Sequence, residues 1–235
     1  MIPLYDDIRT RRFPAVTAAL IAANVAVFVF ELTLPRYGMT LRGFYAKAGA
    51  VPFELAHGYD VPPSDLVPWW GTMFTALFVH GGWLHLIFNM LYLWIFGNNV
   101  EDRLGRWRFL GFYLVCGMVA TATQVATDTA SVVPVIGASG AVAGVLGAYL
   151  VIYPRARVLT VLTLGFVFPV VSVPAWILLA VWFGLQALQG VLSLRHPVVT
   201  VAFFAHVGGF LAGMLLALLL GGRRGRHGTA PGPRV

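Results

Sequence analysis

Four side chains in an otherwise apolar sequence have the types needed to work together: His85 and Asn89 in HGGWLHLIFN, Ser139 in IGASGAVAGVLGAY, and His206 in AHVGGFLAG. A serine hydroxyl is a weak nucleophile until a neighbouring base takes its proton, and histidine is the side chain suited to that task near neutral pH. Ser139 with His206 supplies such a pair. Attack on a carbonyl builds a tetrahedral oxyanion, which needs preset donors: a side-chain amide, an imidazole N–H or a backbone N–H at a helix N-terminus. Asn89, His85 and the Ser139 amide are the candidates. His85 and Asn89 are four residues apart and so share one face of a helix, while His80 lies at or just before its start, in a supporting rather than catalytic position. Asp128 belongs to a connector, and Glu101 and Asp102 lie at the opposite end of the spans. The expected arrangement is therefore a Ser/His dyad without a carboxylate.

These residues must be positioned by membrane helices. The chain has 235 residues, 59% hydrophobic and 11% charged, with a mean hydropathy of +0.81, far from a soluble domain. It reads as an all-α polytopic membrane protein. Six apolar runs, roughly 14–34, 80–98, 107–126, 136–153, 173–193 and 200–221, approach the ~20 residues that cross a bilayer core. The first is read as a retained span rather than a signal peptide. This divides the chain into an N-terminal cytoplasmic segment (1–13), a membrane domain (14–221) and a basic tail (222–235) expected to be disordered. The first connector (35–70) is long and aromatic and is expected to lie at the interface. The stretch 158–174, apolar and β-branched but broken by Pro169 and Pro174, is read as an interfacial extension before the fifth span.

Basic residues set the orientation. Arg9, Arg11, Arg12, Arg103, Arg106, Arg108, Arg155, Arg157, Arg223, Arg224, Arg226 and Arg234 fall on the side of the termini, against Arg36, Arg42, Lys47 and Arg195 on the other. Six spans with both termini inside follow, and a bacterial plasma membrane is the expected location. The second, fourth and sixth spans then all begin at the outer surface. At ~1.5 Å per residue, His85, Asn89, Ser139 and His206 share one layer roughly 5–15 Å below it.

Other chemistries fit less well. The single cysteine, Cys116, rules out an intramolecular disulfide and a Cys-based metal site. Three histidines could bind zinc or copper, but that leaves Ser139 and its glycines unexplained. The net charge of +7 is scattered at span ends, matching anionic lipid headgroups rather than nucleic acid. Asn24, Gln124 and Gln186 are expected to make interhelical hydrogen bonds. Trp83, Tyr92 and Trp94 are expected in packing or in the interfacial belt. Gly140 with Gly144, Ala143 with Gly147, and Gly209 with Gly213 are small-xxx-small pairs that let helix backbones approach, which would bring Ser139 to His206. Gly137 is expected to leave room for a substrate backbone.

Three motifs resemble the rhomboid family of intramembrane serine proteases: His-x-x-x-x-His-x-x-x-Asn (His80, His85, Asn89), Gly-x-Ser-Gly (Gly137, Ser139, Gly140) and Ala-His-x-x-Gly-x-x-x-Gly (Ala205, His206, Gly209, Gly213). They occur in the family's order, and the inner connector GNNVEDRLGRWRFLGFY looks like the family's second loop. The resemblance implies cleavage of transmembrane substrates, with Ser139 as nucleophile, His206 as base, and His85, Asn89 and the Ser139 amide holding the oxyanion. It implies no metal or other cofactor. The alternative is a catalytically silent rhomboid-like binder of transmembrane helices, against which the intact dyad argues. No feature of the sequence selects a particular substrate or oligomeric state. Two positions depart from the family pattern. Gly71 and Thr72 stand where Trp and Arg align in the first loop, shifting its anchoring to Trp69 and Trp70. Ala143 stands where an aromatic often packs on the catalytic histidine, leaving Phe203 or Phe210 as candidates to orient His206.

Overall fold

The computed structural model describes residues 1–62, 66–163, 165–194 and 201–220. The basic tail and Arg195 lie outside the described residues. The chain opens with strand β1 (Ile2–Asp6) and the apolar helix α1 (Ala15–Thr33), which closes in a 3₁₀ turn ending at Gly38. Part of the long first connector is helical. It folds into α2 (Leu41–Ala48), whose N-cap Thr40 accepts from the Gly43 amide at 3.1 Å, and α3 (Pro52–His57), with proline in its first turn. The short α4 (Thr72–Thr75) runs into a 3₁₀ turn (Ala76–Phe78).

α5 (Trp83–Tyr92) starts three residues later than the apolar run, because Gly82, with a φ of 153°, is not helical. It also runs past the expected end at 98. A π-helical stretch (Leu93–Gly97) joins it to α6 (Asn98–Leu104), before Gly105 turns the chain into α7 (Arg106–Thr127). α8 (Ser139–Ile152) is followed by strands β2 (Arg157–Val161) and β3 (Val170–Pro174), then α9 (Ala175–Ser193) and α10 (Phe203–Leu220).

The fold is mostly helical, as the hydropathy runs predict, but it carries an unforeseen three-stranded sheet. Within the stretch 158–174, read as an interfacial extension, β2 and β3 pair antiparallel, and β2 also pairs with β1, matching Ile2 to Val161 and Asp6 to Val158. Valine and threonine side chains favour this conformation. The N-terminal segment is thereby tied down rather than free.

Among the described residues, four stretches are long and apolar enough to cross a membrane: Ala15–Tyr37, Arg106–Thr127, Ala175–Ser193 and Phe203–Leu220. A fifth follows if Thr72–Phe78 and Trp83–Leu104, bent by 93°, count as one. α8, with 14 residues, extends only about 21 Å at 1.5 Å per residue, short of the ~30 Å hydrocarbon core.

α8 is the central element. Every residue from Gly140 to Tyr149 is buried. Without hydrophobic gain between helices inside lipid, such burial rests on close van der Waals packing, and small residues permit it. A Cβ at Gly140 would come 2.5 Å from Ala120 Cβ of α7, and one at Gly144 2.5 Å from Cys116 Cβ. On the opposite flank the backbones of α8 and α10 touch: a Cβ at Gly209 would collide with the Gly140 carbonyl oxygen, and one at Gly147 with that of Phe210. Larger side chains close the inner half, where Tyr149 meets Phe96 edge-on at 4.9 Å.

Buried polar groups stitch the helices together. Glu101 accepts from the Val16 amide at 3.0 Å, the Thr17 amide at 2.7 Å and the Thr17 hydroxyl at 2.8 Å, serving as a cap for α1 supplied by α6. Gln124 makes the expected interhelical bond, its Oε1 accepting the Ala205 amide at 3.2 Å. Asn24 Nδ2 donates to the Leu20 carbonyl of its own helix at 2.7 Å, the carbonyl one turn back being in easy reach of a short amide. Trp83 packs edge-on to Phe28 at 4.9 Å, and the Tyr92 hydroxyl donates to the Met1 carbonyl at 3.2 Å.

Candidate active site

Ser139 is the first residue of α8, so its amide is one of the N–H groups a helix start leaves without an intrahelical partner. The turn delivering it depends on Gly137. Its φ of 114° suits glycine, and a Cβ there would come 2.6 Å from Cε1 and Nε2 of His85. The His85 ring occupies the place that a Gly137 side chain would take. The Gly137 amide donates to the Ala76 carbonyl at 2.8 Å, pinning the turn to the end of the first connector.

His206 sits in the first turn of α10, and its Nε2 is 2.8 Å from the Ser139 Oγ. The glycine contacts explain how residues 67 positions apart meet: with the α8 and α10 backbones in contact, two first-turn side chains face each other across the seam. Both are partly accessible. The other ring nitrogen, Nδ1, is 2.5 Å from Gln186 Oε1 of α9. An amide oxygen only accepts, so Nδ1 carries the proton and Nε2 offers its lone pair to the serine hydroxyl.

Ala143 leaves no ring on the α8 side. The ring next to His206 comes instead from α9: Trp182 lies at 6.0 Å and 38°, with Phe203 edge-on at 6.5 Å. Phe210 stacks on Phe183 at 4.7 Å and lies 6.0 Å from Trp182. Gln186 makes the interhelical hydrogen bond expected of it, from α9 to His206 of α10. Its partner was not legible, because residue spacing does not tell which way α9 is rotated.

His85, on α5, is held by its Nδ1, which accepts the Gly81 amide at 3.3 Å. Its Nε2 therefore carries the hydrogen, on the edge that faces Gly137, two residues before Ser139. Asn89, one turn further and buried, spends one Nδ2 hydrogen on the His85 carbonyl at 3.0 Å. His80 precedes α5 and is fully buried. Its amide donates to Glu31 Oε1 at 3.1 Å, its carbonyl accepts the Tyr45 hydroxyl at 3.2 Å, and its ring lies 5.1 Å from that of His85. It thereby ties the first connector and α1 to the start of α5.

Of the two tryptophans expected to anchor the first connector, Trp69 is half-buried and Trp70 exposed. Thr72 is fully buried with its hydroxyl on the Trp69 carbonyl at 2.5 Å, and the Thr75 hydroxyl donates to the Ala48 carbonyl at 2.7 Å. Among the described residues no group of three His, Cys, Asp or Glu side chains could hold a metal ion, so the three histidines do not form such a cluster.

A family model described as the Rhomboid domain matches residues 68–223, a stretch holding every candidate residue named above. The chain belongs to the rhomboid family. Rhomboid protease GluP of Bacillus subtilis (strain 168) is 33% identical over 153 residues, 65% of this chain and 26% of that protein. Rhomboid-like protein 11, chloroplastic, of Arabidopsis thaliana is 29% identical over 199 residues, 82% of this chain and 65% of the relative. Rhomboid protein 1, mitochondrial, of Saccharomyces cerevisiae is 32% identical over 144 residues, covering 60% and 39%. This rhomboid chain thus spans from about a quarter to just under two thirds of the length of these relatives. It is an integral, multi-pass membrane protein.

Proposed function

We propose that this rhomboid-family chain is an intramembrane serine endopeptidase that cleaves transmembrane segments near the outer face of the membrane. The observation that carries this reading is the 2.8 Å contact between Ser139 Oγ and His206 Nε2, with Nδ1 already hydrogen-bonded on its far side. In the first step, the Ser139 hydroxyl proton passes to His206 Nε2 as Oγ attacks the scissile carbonyl carbon. The oxyanion receives hydrogen bonds from His85 Nε2–H, an Asn89 Nδ2–H and the Ser139 amide. Collapse expels the amine, which takes the proton from Nε2 and leaves an acyl-serine. Water, deprotonated by His206, then attacks the ester and frees the acid and the serine.

The topology belonging to this reading has six spans, with α8 as the short fourth one and both termini in the cytoplasm of a bacterial cell. A recessed α8 start puts the dyad below the outer surface, where a substrate helix must present extended backbone. The partners are transmembrane proteins and lipids. Reaction with a fluorophosphonate probe tests the assignment. Wild-type protein in membranes labels and cuts a reporter helix, and Ser139→Ala does neither. Equal behaviour of the two proteins would overturn the protease reading in favour of a helix-binding rhomboid-like protein that does not cut.

A further inference from the structure

We propose that Gln186 is a positioning residue of the dyad, holding the His206 imidazole in the tautomer and orientation that let Nε2 accept the Ser139 proton. This rests on the reading of Ser139 and His206 as a catalytic pair. A neutral imidazole has one N–H. Were it on Nε2, that nitrogen would donate toward Ser139 and could not act as base. An amide oxygen 2.5 Å from Nδ1 accepts and never donates, so it selects the other tautomer.

The same bond persists after proton transfer, when both ring nitrogens carry hydrogen, and the amide dipole then faces the imidazolium. A neutral amide also suits the place. An unpaired carboxylate inside an apolar span carries a heavy desolvation cost, whereas an amide asks for far less.

Gln186 does not act alone on the ring. Trp182 lies one turn before it on α9 and flanks His206 at 6.0 Å with its ring tilted by 38°, so α9 presents an indole ring and an amide oxygen to one imidazole. That supplies from α9 the steadying group that Ala143 does not supply from α8. Two other amides in the spans have partners elsewhere: Gln124 holds the Ala205 amide and Asn24 bonds the Leu20 carbonyl of its own helix.

Gln186→Leu keeps the apolar bulk and removes the acceptor, while Gln186→Glu restores an acceptor with charge. With a reporter helix in proteoliposomes, Gln186→Leu lowers kcat about 10- to 100-fold and leaves KM within roughly twofold, and fluorophosphonate labelling slows in step. Gln186→Glu recovers most of the rate and moves the acidic limb of the kcat–pH profile to higher pH, because a carboxylate beside Nδ1 favours the imidazolium. Wild-type kcat in Gln186→Leu, a change in KM alone, or a Gln186→Glu protein as slow as Gln186→Leu would each overturn the inference. A merely structural glutamine predicts no movement of the pH limb. If wild-type protein itself shows no Ser139-dependent labelling, the dyad reading falls and this inference with it. If labelling depends on Ser139 but not on residue 186, the inference alone falls.

Discussion

Gly213 of α10 lies directly on the backbone carbonyl of Gly144 in α8, so close that a Cβ added at Gly213 would overlap that oxygen. One turn away, Gly209 meets the Gly140 carbonyl in the same manner. Two glycine pairs thus set the separation of the helices that carry Ser139 and His206. The dyad distance is a consequence of backbone contact rather than of the two side chains themselves.

Gly213→Ala forces α8 and α10 apart and is expected to cost about 1–3 kcal/mol or more, the range for overpacking a tight interface. The thermal midpoint in detergent falls, and labelling of Ser139 falls with it. Gly111 and Gly184 are the controls, since a Cβ at either meets nothing within 4 Å. Alanine there leaves the midpoint unchanged or raises it, because glycine inside a helix is about 1 kcal/mol worse than alanine.

His85→Ala and Asn89→Ala each remove one donor assigned to the oxyanion. The expected loss is about 100- to 1000-fold in kcat, roughly 3–4 kcal/mol, with little change in KM. Steady-state cleavage of a reporter helix measures the split. A rise in KM at constant kcat would instead place these residues in substrate binding.

Glu101 fills three donors at the start of α1. Glu101→Ala strands them in a buried place and is expected to lower stability by about 1–2 kcal/mol, the cost of losing a good cap. Glu101→Gln keeps one acceptor oxygen and loses less. Detergent unfolding of the three proteins ranks wild type above Gln and Gln above Ala.

Asp6 anchors β1, its Oδ2 accepting Asn99 Nδ2 at 2.7 Å and the Tyr149 hydroxyl. Burial, with some help from the neighbouring Asp7 charge, raises its pKa from 3.8 to about 6, while the Tyr149 bond pulls the other way. A carboxyl whose folded pKa is raised binds its proton better in the folded protein. Its contribution to stability is therefore present at low pH and lost as pH climbs through about 6. Asp6→Asn, neutral at every pH, removes that decline. Unfolding midpoints at pH 4.5, 6 and 8 should fall with pH more steeply in wild type than in Asp6→Asn.

Much of this was legible in the residues. Apolar runs marked the helices, because a segment that crosses lipid must satisfy its own backbone hydrogen bonds and expose apolar side chains. The run at 107–126 lies inside α7 as Arg106–Thr127, and 173–193 contains α9 as Ala175–Ser193. Gly140, Gly144, Gly209 and Gly213 were readable as contact residues, since little but close packing explains such pairs in a span. The sheet was not readable. Val158, Thr160 and Val161 favour a strand, but a strand needs a partner, and β1 lies some 150 positions upstream with its register set by pairing alone.

The residue types alone determined that this is a helical membrane protein of the rhomboid kind, with a serine, two histidines and an asparagine as its candidate site residues, because hydropathy and spacing are local properties. Only the tertiary structure decided that His206 meets Ser139 through Nε2, that Gln186 and Trp182 rather than a residue near Ala143 flank its ring, and that His85 occupies the space beside Gly137. Those outcomes depend on how each helix is rotated about its axis and how closely its neighbour approaches. Both are set jointly by contacts among segments far apart in the chain.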